Sequence, residues 1–379
     1  MISDYNSSRP TRAVIDLAAI AANFRLLTQR ASPAEVYAVV KADAYGHGAV
    51  AVAQRLEREG ARCFGVGIAE EGIELRRAGV RERILVLGFS DPRDAALCRS
   101  YGLTPTLYDL AQVRGFAGAT AGFASTLSVH LKIDTGMGRL GIMRREIPEA
   151  VRLLAEARHL KLTGTSTQLA RADEPEPKAV DAQLTLFRAC LEDLRAAGVD
   201  PGVTHCANSA GLLLHPPSIF QAVRPGLALY GIAPSPSLPD AGLVPAMEVE
   251  TRVMSVRDVP EGAALGYGGR FVTRRRSVIA VLPIGYHDGV RRVISGRASV
   301  LLRGGRAPVV GAVSMDLTLI DATETGAAAG DRAVLLGREG PDRITAWDLA
   351  RAADTIAYEV VCGIGARVPR VYRESGAGS

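Results

Sequence analysis

Over the first two thirds of the chain, short β-branched runs alternate with stretches whose apolar residues recur every three or four positions. Ala13-Val-Ile-Asp16 reads as a strand, and Asp16 is placed to cap a helix whose apolar face is Leu17, Ile20, Phe24 and Leu27. Ser32-Pro33 stops that helix. The next strand is predicted over Val36–Val40 and the next helix over about residues 50–59. Further strands are predicted around Cys63–Gly67, Ile84–Gly88, Leu103–Thr106, Leu127–Ile133, Leu160–Thr165 and Val203–His205. The clearest helix between them carries Val180, Leu184, Phe187, Leu191 and Leu194 on one stripe and ends at Gly198.

Strand–helix units at this spacing imply a parallel sheet, because parallel strands need crossover connections. About eight of them predict an α/β fold with an N-terminal (β/α)₈ barrel, closed rather than open. After the Pro-rich stretch Ala233–Pro239 the texture changes. Alternating or β-branched runs follow at Glu248–Val259, Ser277–Leu282, Ala298–Arg303, Ala307–Val313 and Ala333–Gly337, with Gly304-Gly305 as a hairpin turn and one helix near Ala346–Ala353. The expected division is therefore a barrel over residues 1–239 and a mostly antiparallel β domain over residues 240–379.

Composition narrows the function classes. The chain has 379 residues, 47% hydrophobic and 22% charged, the balance of a folded globular protein. Arg, Asp or Gly interrupts every long apolar stretch before a membrane span is reached, so no membrane role is expected. Met1 to Arg12 is polar and lacks an apolar core, so no secretory signal is expected either. Net charge is +5, but charges are mixed and the longest basic run is Arg274-Arg275-Arg276, which argues against nucleic acid. Five scattered cysteines without a CxxC pair read as reduced, mostly buried thiols in a cytoplasmic protein. The six histidines lack ligand spacing, and no metal site is expected. Lysine occurs only at positions 41, 132, 161 and 178, which leaves few places for a lysine used in chemistry.

Val36-Tyr-Ala-Val-Val-Lys41 closes an apolar strand and runs into Ala-Asp-Ala-Tyr45-Gly-His-Gly48, a loop rich in small residues. Active sites of parallel barrels form at strand C-termini. A partly desolvated amine there becomes a nucleophile towards an aldehyde, which makes Lys41 a candidate Schiff-base lysine. Taken alone, such a lysine more often simply ends a strand. Arg139, in Met-Gly-Arg139-Leu-Gly141, offers a planar fork that matches a carboxylate. Ser209 can cap a helix, and free N–H groups at a helix start suit a phosphate.

The ten residues Val39-Val-Lys41-Ala-Asp-Ala-Tyr45-Gly-His-Gly48 resemble the pyridoxal-phosphate attachment motif of bacterial alanine racemases, enzymes of fold type III. The resemblance continues through His130-Leu-Lys132-Ile-Asp-Thr-Gly-Met-Gly-Arg139, Thr204-His-Cys-Ala-Asn208-Ser209, Val223-Arg224-Pro-Gly226-Leu227, Leu265-Gly-Tyr267-Gly-Gly, Pro283-Ile-Gly-Tyr286, Ser314-Met315-Asp316 and Tyr358. It implies that Lys41 carries pyridoxal 5'-phosphate as a Schiff base. Tyr45, Ser209, Gly226, Leu227 and Tyr358 would face the phosphate, and Arg224 the pyridine nitrogen. Arg139 and the Met315 N–H would hold the substrate carboxylate. Lys132 stands where family members are often carbamylated to orient that arginine. Asn208 and Asp316 fall in the matched motifs as supporting residues, and Tyr286 with Tyr358 would narrow the entrance.

Two-base racemisation needs a proton carrier on each face of a planar centre, which the resemblance assigns to Lys41 and Tyr267. It further implies a homodimer in which Tyr267, Tyr286 and Met315 complete the partner's site, with alanine as substrate. One departure matters most. Gln168 in Thr167-Gln168-Leu169 stands where the family normally has a histidine linking the tyrosine to the pyridine-binding arginine. Glutamine hydrogen-bonds but does not exchange a proton near neutral pH. Another amino acid as substrate, or lyase, decarboxylase or transaminase chemistry, is therefore the alternative. Gly266 and His287 also depart, from the family's usual serine and alanine.

Overall fold

A computed structural model describes residues 8–174, 176–238 and 241–374. The chain divides into a unit over Ala19–Val244 and a second over residues 1–18 and 245–379.

The first unit is built on a closed parallel barrel, as the strand–helix alternation predicts. Its strands are Glu35–Val39, Cys63–Val66, Arg83–Val86, Leu103–Leu107, Leu127–Lys132, Leu160–Ser166, Val203–His205 and Ala222–Val223. Strands such as Cys63–Val66 are buried at every residue, because helices cover one face and barrel side chains the other. Closure rests on the two-residue strand Ala222–Val223, which pairs with Glu35–Val36 on one side and His205 on the other. The expected strand–helix series omits this strand, since two residues carry no period. The helix Lys178–Ala196 buries Val180, Leu184, Phe187, Leu191 and Leu194, the stripe read from sequence.

The strand Arg12–Asp16 does not open the barrel. It pairs antiparallel with Met247–Arg252 and parallel with Arg370–Arg373, inside the second unit. Alternation identified it as a strand, but nothing in five residues names a partner several hundred positions away. The helix Leu17–Ala31 follows it directly. The sheet of the second unit is otherwise mostly antiparallel, in the order Ser255–Val259, Ser277–Leu282, Thr318–Asp321, Gly305–Val310, Ser299–Leu302, Arg332–Glu339, Met247–Arg252, Arg12–Asp16, Arg370–Arg373. Its tight hairpin turns on Arg303 and Gly304, both at positive φ, one residue before the expected Gly304-Gly305 pair. Among the described residues no helix is long and apolar enough to cross a membrane.

Candidate active site

Beyond Val39 the barrel strand gives way to Lys41 and then to four non-glycine residues in the left-handed region, Ala42, Asp43, Ala44 and Tyr45, with φ between 52° and 54°. The sequence suggests a loop; the backbone makes a turn of left-handed helix. Each such residue costs about 1–2 kcal/mol through crowding at Cβ, so the neighbours must hold the turn. Asp43 Oδ1 accepts from the Ala49 N–H at 2.7 Å, and its carbonyl accepts from the Gly48 N–H at 2.9 Å. The buried His47 ring stacks on Tyr230 at 4.4 Å, and its Nδ1 lies 3.0 and 2.9 Å from the Ala44 and Tyr45 carbonyls. Carbonyls only accept, so Nδ1 carries the proton. Tyr230 in turn donates to the Val39 carbonyl at 2.8 Å. Lys41 itself is exposed in the single chain, not partly desolvated as the sequence suggests.

Tyr45, so placed, reaches the turn after the closing strand. A Cβ on Gly226 would lie 2.4 Å from the Tyr45 Oη, so only glycine permits this approach. The N–H groups of Gly226 and Ala228 donate to Ser209 Oγ at 3.0 and 3.2 Å. The helix Ser209–Leu214 is capped by Asn208, whose Oδ1 accepts from the Gly211 N–H at 2.9 Å. Ser209 is thereby released from the capping role considered for it and serves the Gly226 turn, where Leu227 is fully buried. The Tyr45 phenol and the Ser209 hydroxyl, the latter accepting from the Gly226 and Ala228 N–H groups, converge here as O–H donors of the kind that bind phosphate oxygens.

Arg224 leaves the closing strand and is 7% exposed. Its Nη2 donates to the Thr167 carbonyl at 2.8 Å, the Cys206 carbonyl at 3.2 Å and Gln168 Oε1 at 3.2 Å. Gln168 therefore keeps a hydrogen bond to the arginine. Nη1 lies 2.5 Å from His205 Nδ1, and His205 Nε2 lies 2.9 Å from His130 Nδ1. Arginine only donates, so His205 Nδ1 accepts and its Nε2–H donates to His130. Burial, then the Arg224 charge, pushes His205 well below its ordinary value and His130 down to about 3. The pair is neutral. Gly164 makes room for it, since a Cβ there would sit 2.4 Å from the His130 ring.

Lys132 is buried near Arg224, and its amine is pushed down to about 8 by burial and then by the charges of Arg224, Arg139 and Lys41. Burial alone also lowers Arg224 to about 10. Arg139 is exposed in a loop organised by Asp134, whose Oδ1 accepts from the Gly136 and Met137 N–H groups at 2.9 Å. Gln183 ties this loop to the next strand exit through Thr135 Oγ1 at 3.2 Å, the Gln168 carbonyl at 3.0 Å and the Ala170 N–H at 2.9 Å. Thus the barrel unit brings together Lys41, Tyr45, Ser209, Asn208, Arg224, Gly226 and Leu227, with Gln168 on Arg224 and Lys132 within reach of the Arg224, Arg139 and Lys41 charges.

Tyr267, Tyr286, Met315, Asp316 and Tyr358 belong to the other unit. Tyr267 starts a short turn between the strands Ala264–Leu265 and Phe271–Val272 and is 70% exposed; Tyr286 is 42% and Met315 51% exposed. Gly266 has φ +71°, which suits glycine where serine is the family habit. The Tyr286 and His287 N–H groups donate to the Ser314 and Met315 carbonyls at 2.9 and 3.1 Å, so the two motifs form one piece. Tyr358 lies on the helix Ala357–Cys362.

That piece is pinned by a residue the motif reading passed over. Asp288, fully buried, accepts from Arg9 Nη1 at 2.9 Å, from Arg367 Nε at 2.6 Å and from the Gly285 N–H at 2.9 Å. Arg367 also donates to Asp316 at 2.6 Å. Burial acts to raise the Asp288 carboxyl, but these hydrogen bonds outweigh it and hold the group below the usual range. The stability it contributes is thus present above the unfolded value near ~3.9 and lost as pH falls through the lower folded value. Asp288→Asn is expected to cost about 1.5–3 kcal/mol at pH 7, because Arg9 loses its charge partner and Arg367 keeps only Asp316. Calorimetry would show a lower Tm at neutral pH and a gap that narrows in acid; an unchanged Tm would refute the pinning role.

Glu71, His130, His205, Gln183 and Asp288 were not identified as site residues from sequence. The available signal was the presence of His130, His205 and Asp288 within matched motifs.

Comparison with known proteins agrees over both units. The model of the alanine racemase N-terminal domain matches residues 15–234, and that of the C-terminal domain matches residues 246–372. The alanine racemase of Symbiobacterium thermophilum is 44% identical over 97% of this chain and 98% of its own length. That of Sorangium cellulosum is 42% identical over 97% of this chain and 100% of its own. Among solved structures, the alanine racemase of Streptomyces lavendulae superposes with a TM-score of 0.93 at 38% identity, covering 98% of each chain. The Bacillus anthracis enzyme, solved with bound L-Ala-P, gives 0.92 at 37% identity over 98% of this chain and 96% of that one. With barrel and sheet both matched end to end, the chain belongs to the alanine racemase family.

Proposed function

We propose that the chain interconverts L- and D-alanine with pyridoxal 5'-phosphate held on Lys41. The observation that carries this reading is the Tyr45–Gly226–Ser209 cluster beside the Lys41 turn, with the buried Arg224 on the same barrel strand exit. These residues fit the cofactor: phosphate donors converge at the Gly226 turn, and Lys41, Lys132, Arg139 and Arg224 form a positive region suited to an anion. When bound, the cofactor draws electrons from the substrate's α-carbon and makes its proton labile.

The chain's own groups do the rest. The exposed Arg139 fork and the N–H of the partner subunit's Met315 bind the carboxylate. Lys41 moves a proton on one face, and the partner subunit's Tyr267 moves one on the other. Arg224 keeps its proton at neutral pH and donates to the pyridine nitrogen, leaving that nitrogen unprotonated. Arg224 would thereby temper the cofactor's electron withdrawal, which suits returning a proton to carbon rather than transamination. A homodimer is supported by Tyr267, Tyr286 and Met315, whose exposed side chains suit a surface covered by a second copy. Four buried free cysteines suit the cytoplasm.

The test is incubation of the cofactor-loaded protein with L-alanine in D₂O. Optical rotation should decay while deuterium enters the α-position. Rotation retained with pyruvate released would replace racemisation by transamination.

Two further expectations concern departures and modification. Gln168 already orients Arg224, so Gln168→His should add an ionisation to the rate profile, on the acid side of the ordinary histidine value because of the Arg224 charge, without displacing the cofactor spectrum. An unshifted profile would limit this position to orienting Arg224. Burial and the neighbouring positive charges lower the Lys132 amine and so enlarge its neutral form, the one that adds carbon dioxide. A ¹³C-bicarbonate resonance should therefore appear in the parent and vanish in Lys132→Arg; its absence from the parent rules out the carbamate.

A further inference from the structure

Glu71 is the third residue of the helix Ala69–Arg77, whose N-cap, Ile68, has no side-chain acceptor. An acidic residue here commonly reaches back to the N-cap N–H. Glu71 reaches further. Its Oε2 accepts from the Gly67 N–H at 2.6 Å, and its Oε1 accepts from the Ala42 N–H at 2.7 Å. One carboxylate thus bridges the exits of two neighbouring barrel strands, Glu35–Val39 and Cys63–Val66.

The bridged peptides occupy particular places. Ala42 is the first of the four left-handed residues, and its N–H belongs to the peptide that leaves Lys41. A Cβ on Gly67 would lie 3.3 Å from Glu71 Oε2 and 3.6 Å from the Lys41 Cβ, so the carboxylate, Gly67 and the lysine are packed against one another. The Gly67 carbonyl also accepts from the Gly88 N–H at 3.1 Å, and a Cβ on Gly88 would meet that carbonyl at 2.5 Å. A third strand exit is therefore latched onto the same residue. Hydrogen bonds from N–H groups to an ionised carboxylate are the stronger kind.

An uphill turn persists only where its surroundings over-determine it. Asp43, His47 and Tyr230 hold the far side of this one, and Glu71 holds the side that adjoins Lys41. We infer that Glu71 is a positioning residue for Lys41: its carboxylate fixes the Lys41–Ala42 peptide and thereby aims the amine. This rests on the proposed attachment of pyridoxal phosphate to Lys41. Glu71 itself takes no part in the chemistry.

The experiment compares the parent with Glu71→Ala and Glu71→Gln, starting from cofactor-free protein. Pyridoxal phosphate is added, attachment at Lys41 is trapped with borohydride and counted by intact mass, and amide exchange is followed at Ala42 and Gly67. Glu71→Ala should attach at least about tenfold more slowly and exchange the Ala42 amide faster, with kcat reduced and KM for alanine nearly unchanged. Glu71→Gln keeps one acceptor and should fall between. Attachment in Glu71→Ala within about twofold of the parent overturns the inference. So does a Glu71→Ala chain that fails to fold while Glu71→Gln behaves as the parent. A parent that never takes up pyridoxal phosphate refutes the cofactor reading instead, and the exchange of Ala42 still reports whether the clamp exists.

Discussion

Lys41→Ala is expected to abolish covalent retention of pyridoxal phosphate and to lower racemisation by at least about 10²–10⁴-fold, the range lost with a positioned proton carrier. The side chain is exposed in the single chain, so its truncation opens no cavity and should leave Tm nearly unchanged. The Tyr45–Gly226–Ser209 cluster is untouched, so the cofactor should still bind, reversibly. Intact mass after borohydride treatment separates the two effects: the parent gains one cofactor and the variant none. Retained attachment in Lys41→Ala would move the Schiff base to another lysine, and Lys132, buried beside Arg224, would be the first to test.

Tyr267→Phe is expected to cost a similar ~10²–10⁴-fold in turnover while the cofactor spectrum and Tm stay at parent values. The phenol is 70% exposed in the single chain, so no internal hydrogen-bond network depends on it. A mixture makes the expectation sharper. If Lys41 of one subunit works with the partner subunit's Tyr267, then reassorting Lys41→Ala with Tyr267→Phe rebuilds one intact site in each heterodimer. Random exchange should then restore about a quarter of parental activity from two inactive preparations. If one chain supplies both groups, mixing restores nothing and the shared-site proposal fails.

The proposed cofactor groups were legible in the sequence where they lie in contiguous residues. Lys41 with Tyr45, Asn208 with Ser209, and Arg224 with Gly226 each sit in one short motif, because a strand exit delivers neighbouring residues to the same place. The fold class followed from the alternation of strand and helix periods. The strand count agreed through two errors that cancel: Arg12–Asp16 belongs to the sheet unit, and Ala222–Val223 is too short to carry a period. Residues that act across the fold stayed hidden. Glu71 looks like an ordinary acidic first turn, and Asp288 gains its meaning only from Arg9 and Arg367, which come from opposite ends of the chain. The left-handed turn was hidden too, since Ala, Asp, Ala and Tyr do not announce positive φ. Their conformation is imposed by tertiary contacts against local preference.

The placement of Arg12–Asp16 has a consequence for how the molecule is made. During synthesis the strand emerges ahead of the barrel; its antiparallel neighbour Met247–Arg252 follows the barrel, and its parallel neighbour Arg370–Arg373 comes later still. The barrel, which is contiguous from Ala19 to Val244, has all its strands available long before then. The strand must therefore wait, unpaired, while the whole barrel is made, and a ribosome stalled just beyond Val244 would hold a finished barrel with a loose β-strand ahead of it.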